Sequence, residues 1–142
     1  MSATVVALFV STGNRIPLTP RSSVNALEDR GIEGDRHALP GNRRSVLIMS
    51  QEILDTLGLA PGDVREQVTV RGLDLHALAH GTRLRVGGAR LELVGPCAPC
   101  ERMEELRTGL QAALEGRRGR FARVVGPGSF AVGDALAVEP PA

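Results

Sequence analysis

The chain opens with an almost unbroken apolar run. TVVALFVS, residues 4–11, is rich in β-branched residues and reads as a buried strand. The stretch GNRIPLTPRSSVNALEDRGIEGDRHALPGNRR, residues 13–44, is long, polar and interrupted by Gly and Pro. A connection of that length in a compact domain is usually functional or conceals short strands. SVLIMS is apolar again and reads as a second strand. Ser50 is then placed to cap a short helix, QEILDTLGL, with Gln51 and Glu52 in its first turn and Pro61 and Gly62 as its stop.

EQVTVRG alternates as a strand does. TRLRVGGARLELVG is two alternating runs joined by Gly87-Gly88, a two-residue hairpin with Leu84, Val86, Leu91 and Leu93 on one face. In ERMEELRTGLQAALEG, Met103, Leu106, Leu110 and Leu114 recur at helical spacing. That predicts one helix with one apolar stripe, stopped at Gly116. GRFARVV and SFAVGDALAV, divided by GPG, add two or three strands, and the tail VEPPA is expected to fray. Strands outnumber helices, and parallel strands would need more crossover helices than the pattern supplies. The expected fold is mainly β: an antiparallel sheet closed or nearly closed into a barrel, with a few short helices outside it.

The length, 142 residues, suggests one domain spanning 1–142. A chain of this size buries roughly 70% of its unfolded surface and needs neither disulfide nor metal to stand. Aromatics are limited to Phe9, Phe121 and Phe130, which argues against a base-stacking nucleic-acid surface. The net charge of +1 conceals a bias: all 17 basic residues are Arg. With no Lys, covalent binding of pyridoxal phosphate and Walker-type lysine chemistry are both excluded. The N-terminal stretch has no basic leader followed by a cleavage site, and no run approaches the roughly 20 apolar residues of a membrane span. The expectation is a cytoplasmic protein with reduced thiols that engages neither membrane nor nucleic acid.

Both cysteines lie in GPCAPCERMEEL, at C-x-x-C spacing between a strand and a helix. Cys100 immediately precedes the helix, with Arg102 two residues on. Free N–H groups and the helix dipole there stabilise a thiolate, so Cys100 should be more acidic than Cys97. Four readings stay open. One is a thiol redox couple, although thioredoxin-like proteins set it in a βαβ framework. With His76 and His80 it would complete four zinc ligands of a zinc-stabilised binding module. The remaining two are a single reactive thiol, Cys100, beside a bystander, and a pair of packing residues. Elsewhere GIEGDRHA presents Asp35, Arg36 and His37 on one turn, where Asp can orient His or Arg and Arg can grip an anion bidentately. NRRS and GRRGR set further arginines beside small or polar residues, among them Arg117, Arg118 and Arg120. With backbone N–H groups these would form a phosphate-binding patch, or else remain solvated loops.

In order along the chain, GIEGDRHA, RSVLIMSQE, EQVTVRGLDL, GTRLRVGGARLEL, CAPCERM, GRRGRFARVV and FAVGDAL resemble the MOSC domain, the family named after the C-terminal part of molybdenum cofactor sulfurase. The resemblance spans about residues 24–138. It implies a β-barrel and binding of molybdenum cofactor (molybdopterin), whose metal is held by the dithiolene of a phosphorylated pterin. It implies that Cys100 ligates molybdenum or carries sulfur, with Cys97 a possible second thiol, and that Asp35, Arg36, Glu66 and Arg123 occupy positions the family tends to keep. His37, Arg102, Arg117 and Arg118 join them as candidate cofactor contacts. The family often has Asn where this chain has Gln67. As a sulfur carrier, the chain would draw on a separate cysteine desulfurase. As an enzyme, whether sulfurtransferase-like or a molybdenum-dependent reductase of N-hydroxylated compounds, it would in the latter case need a reductase partner.

Overall fold

A computed structural model describes residues 3–140; the last two residues of the tail VEPPA lie outside them. The strands are β1 (Ala3–Val10), β2 (Thr19–Arg21), β3 (Ser23–Leu27), β4 (Gly31–Ile32), β5 (Val46–Ser50), β6 (Val68–Arg71), β7 (Arg83–Val86), β8 (Ala89–Pro96), β9 (Arg120–Gly126), β10 (Gly128–Ala131) and β11 (Ala135–Val138). The helices are α1 (Gln51–Thr56), α2 (Glu101–Leu106) and α3 (Leu110–Ala113), with a 3-10 turn at Leu75–Ala77.

Seven strands close a barrel in the order β1, β11, β7, β8, β9, β5, β6 and back to β1. Pairing is antiparallel except between β5 and β6, which α1 links as a crossover. The mainly β barrel expected from the pattern is therefore the fold observed. The long polar stretch conceals β2, β3 and β4; β3 and β4 join β10 in a separate three-stranded sheet. Val24, Ala26, Ile32 and Phe130 of that sheet enter the same core as the barrel interior.

The hairpin forms as patterned, with Val86 opposite Ala89 and Leu84, Val86, Leu91 and Leu93 fully buried. Gly87 takes φ +52°, and a Cβ there would lie 2.7 Å from side-chain atoms of Phe130 and Asp134. Only glycine turns the chain so close to its neighbour.

β5 is buried along its whole length, which accounts for its unbroken apolar sequence. Val46 and Ile48 face the barrel core, whereas Met49 belongs to a second core outside the wall with Leu54, Val64, Met103, Leu110 and Leu114. The single helix expected over 101–116 is two. Arg107 is extended and Gly109 adopts φ +86°, so α3 starts afresh. The Glu104 carboxylate accepts from Gly109 N–H and Gln111 N–H, capping the new helix. The break turns Leu106 outward to 49% exposure, while Met103, Leu110 and Leu114 stay buried. Truncating one of those three should cost about 2–5 kcal/mol.

Candidate functional site

The second core, through Met103, Leu110 and Leu114, fastens the segment from Cys97 to Gly119 against Met49 of β5. Opposite that segment runs the polar stretch after β1. Between them lies a cavity of about 230 Å³. Leu47 and Phe121, paired across β5 and β9, are among its lining residues.

Five arginines line this cavity: Arg36, Arg44, Arg65, Arg102 and Arg118. Among the described residues none of the five has an acidic partner within 4.0 Å. Arg118 is buried, and backbone carbonyls hold it: it donates to Ala98 O at 3.1 Å and to Val64 O at 3.1 Å. Its Nη1 is also 3.5 Å from Cys100 Sγ. Its Nε is buried without a protein acceptor. Arg65 sits at φ +69° and donates to Ile16 O at 2.7 Å. Burial, and then the charges of Arg102, Arg36 and Arg118, push its guanidinium pKa down. Arg44 stands over the Phe121 ring, 5.8 Å from its centroid.

Asp35 is buried behind this surface. Ser11 N–H donates to Oδ2 at 2.7 Å, His37 N–H to Oδ1 at 2.8 Å, and His37 Nδ1 lies 2.8 Å from Oδ1. Burial raises the carboxyl pKa, but the bonds from His37 and Ser11 together outweigh it and hold it below the ordinary value. With the carboxylate ionised, His37 Nδ1 carries the hydrogen of that pair. His37 and Arg36 line the cavity on the same turn. Gln67 also lines it, with its amide engaged: Oε1 accepts from Leu47 N–H at 2.7 Å and Nε2 reaches Ser45 O at 3.3 Å. It ties the Asp35 turn to β5 rather than standing free.

The two thiols differ. Cys97 is buried and lines the cavity, and burial pushes its pKa up. Cys100 is exposed and adjoins the cavity through Arg118. Burial alone would raise its pKa; the N–H groups of Arg102 and Met103, with Arg118, overcome that and bring it below a free thiol's value.

Of the residues singled out from sequence, Arg36, His37, Arg102, Arg118 and Cys97 thus line one cavity, with Asp35 behind it and Cys100 beside it. Glu66, Arg117 and Arg123 lie elsewhere. Glu66 is fully buried, accepting from Gly62 N–H at 3.0 Å and Thr69 Oγ1 at 2.7 Å, and burial raises its pKa. Arg117 Nε donates to Ala113 O at 2.7 Å. Arg123 pairs with Glu92 at 3.0 Å. His76 Nε2 accepts from Gly119 N–H at 3.0 Å, and His80 is exposed. Among the described residues no three His, Cys, Asp or Glu side chains gather as metal ligands would. Nor does the barrel provide the βαβ setting of a thioredoxin-like pair. Arg44, marked as part of NRRS, lines the cavity as well, whereas Arg65 was not marked by any motif. Its signal was the absence of lysine, which leaves arginine as the only side chain with a permanent positive charge.

The family model of the MOSC domain matches residues 20–137. The YuaD protein from Bacillus subtilis shares the fold at a TM-score of 0.84 and 23% identity, over 100% of this chain and 98% of its own. YiiM from Geobacillus stearothermophilus aligns at a TM-score of 0.75 and 19% identity, over 97% of this chain and 75% of its own. YiiM from Escherichia coli aligns at 0.74 and 20%, over 100% and 71%. At these identities the likeness is one of fold. Among curated proteins none matches the sequence. No helix among the described residues is long and apolar enough to cross a membrane.

Proposed function

The chain belongs to the MOSC domain family, and from that premise we propose that its arginine-lined cavity binds molybdenum cofactor and that Cys100 is the thiolate working beside it. The observation that carries this reading is the set of five arginines around one cavity that have no acidic partner among the described residues. Gathering like charges without counterions costs stability unless an anion joins them. A phosphorylated pterin is such an anion, and guanidinium forks suit its phosphate. The fit also rests on Arg118, whose buried Nε lacks a protein acceptor. Arg36, Arg44, Arg65, Arg102 and Arg118 would hold the anionic part, with Asp35 fixing the turn that carries Arg36 and His37. When bound, the cofactor supplies a thiophilic, redox-active metal.

Sulfur carriage is the chemistry these residues favour. Cys100 is exposed, so a donor protein such as a cysteine desulfurase can reach it. Its thiolate attacks the terminal sulfur of the donor's persulfide, the donor S–S bond breaks, and the donor leaves as a thiolate. The terminal sulfur keeps its proton and becomes the outer sulfur of a Cys100 persulfide. Arg118, 3.5 Å from Sγ, favours the thiolate that begins this exchange.

The test is metal and pterin analysis of protein purified from a molybdenum-replete host. Molybdenum and pterin in equal amounts are expected, with pterin retained in Cys100→Ser and persulfide formation lost. Zinc in place of molybdenum, or pterin absent from the wild type, would overturn the reading.

A further inference from the structure

A second depression adjoins the first. It holds about 300 Å³, and its walls include Arg65 and Arg102, the same two arginines that line the cationic cavity. Its remaining lining is otherwise apolar: Phe9, Pro17, Leu18, Pro61, Met103 and Leu106, with Gly62 and Asp63. Three features set it apart from ordinary apolar surface. Phe9 is one of three aromatics in the chain, and it lies in this groove rather than in the barrel core. Gly62, at φ +91°, lies against its ring, where a Cβ would come within 3.1 Å. Leu106 is turned outward to 49% exposure by the break between α2 and α3, and it closes the rim. The acid in the wall, Asp63, accepts from Ala60 N–H at 2.8 Å and keeps its charge. Against it stand the guanidinium groups of Arg65 and Arg102, so the lining is net positive.

We infer that the groove is the subsite for the aryl portion of a small anionic molecule whose charged group sits among the cavity arginines. Continuity across Arg65 and Arg102 selects this occupant. An uncharged apolar ligand would leave those guanidinium groups without an anion, and a purely anionic one would leave Phe9, Met103 and Leu106 uncovered. Each space alone is at or below the lower end of small-molecule sites, roughly 300–1,000 Å³, and joined they fall inside that range. Guanidinium planes at the boundary can also stack on an aryl face. The inference rests on the cavity being an anion site; it does not depend on molybdenum.

The probes are inorganic phosphate and phenyl phosphate, titrated calorimetrically into the wild type, Leu106→Ser and Phe9→Ala. Phenyl phosphate should bind the wild type on the order of tenfold more tightly than phosphate, from burial of the ring. Both variants should lose that gain and keep wild-type affinity for inorganic phosphate, which also reports an intact fold. Equal affinity for the two probes would overturn the groove and leave the anion cavity standing. A gain that survives in both variants would place the ring elsewhere and overturn it too. Failure of phosphate itself to bind would remove the anion site on which the inference depends. A protein that shows the phenyl gain but purifies without molybdenum would keep the groove and lose only the cofactor reading.

Discussion

Two groups of arginines sit on one barrel and are treated in opposite ways. Along the outer face of β7, β8 and β9, arginines have acidic partners: Arg83 and Arg123 share Glu92, and Arg85 and Arg90 share Glu139. Around the cavity, Arg36, Arg44, Arg65, Arg102 and Arg118 have none among the described residues. The same residue type is paired along that outer face and, around the cavity, gathered five together without a pair among the described residues. Surface pairs of the first kind contribute little to stability. A cluster of the second kind opposes folding unless an anion joins it. The teaching is that an arginine-only protein must be read by pairing, not by counting.

The comparison breaks most sharply at Arg118. Its removal deletes a buried cation and leaves Ala98 O and Val64 O without their donor. Arg118→Met should weaken phosphate binding by about 100-fold, and it should lower stability by about 1–3 kcal/mol for each orphaned carbonyl, measured by titration and by urea unfolding. Arg123→Ala should leave phosphate affinity unchanged.

Asp35 supplies the next largest effect. Its folded-state pKa lies below its unfolded value, so its stabilisation is complete above the unfolded value and disappears as pH falls through the folded one. Asp35→Asn should cost about 1–3 kcal/mol at neutral pH and flatten the loss of stability on acidification. Urea unfolding at several pH values below neutral checks this, and an undiminished acid dependence would count against the role of Asp35.

How far the site could be read from sequence follows from what local patterns report. The hairpin was legible because Gly87-Gly88 and matched alternation are local signals, and the barrel followed from strand number and turn length. The split between α2 and α3 was not. The spacing of Met103, Leu106, Leu110 and Leu114 fits one helix, and only the Glu104 cap on Gly109 decides otherwise. At the site, Arg36, His37, Arg44, Arg102 and Arg118 were visible as motif residues. Arg65 was not distinguished, since the register that brings β6 against β5 sets its position, and no short motif encodes it. Whether an arginine is paired or faces a cavity is a tertiary fact, which is why Arg123, paired with Glu92, and Arg117, turned to Ala113 O, could not be told from Arg118.

The cysteines sharpen the contrast on a smaller scale. Beside the unpaired arginines, Cys100 should alkylate at neutral pH faster than a free thiol and Cys97 more slowly. Iodoacetamide rates against pH in Cys97→Ser and Cys100→Ser should give midpoints below and above the ordinary thiol value respectively. Coincident midpoints would remove the distinction between the two thiols.

The smallest effects concern stability without ligand. Arg36→Ala relieves repulsion in the cavity and should be neutral or slightly stabilising in low salt, whereas Arg123→Ala gives up its bond to Glu92 and should be slightly destabilising. Thermal unfolding without added anions measures the sign. The same sign for both would erase the difference between the two groups.

The most direct test of the central claim is pterin content per protein in Arg36→Ala and Arg123→Ala, purified side by side with the wild type from a molybdenum-replete host. The account predicts that pterin falls severalfold or more in Arg36→Ala and stays at the wild-type level in Arg123→Ala, with both proteins folded. Equal retention in the two variants, or a loss confined to Arg123→Ala, would contradict it.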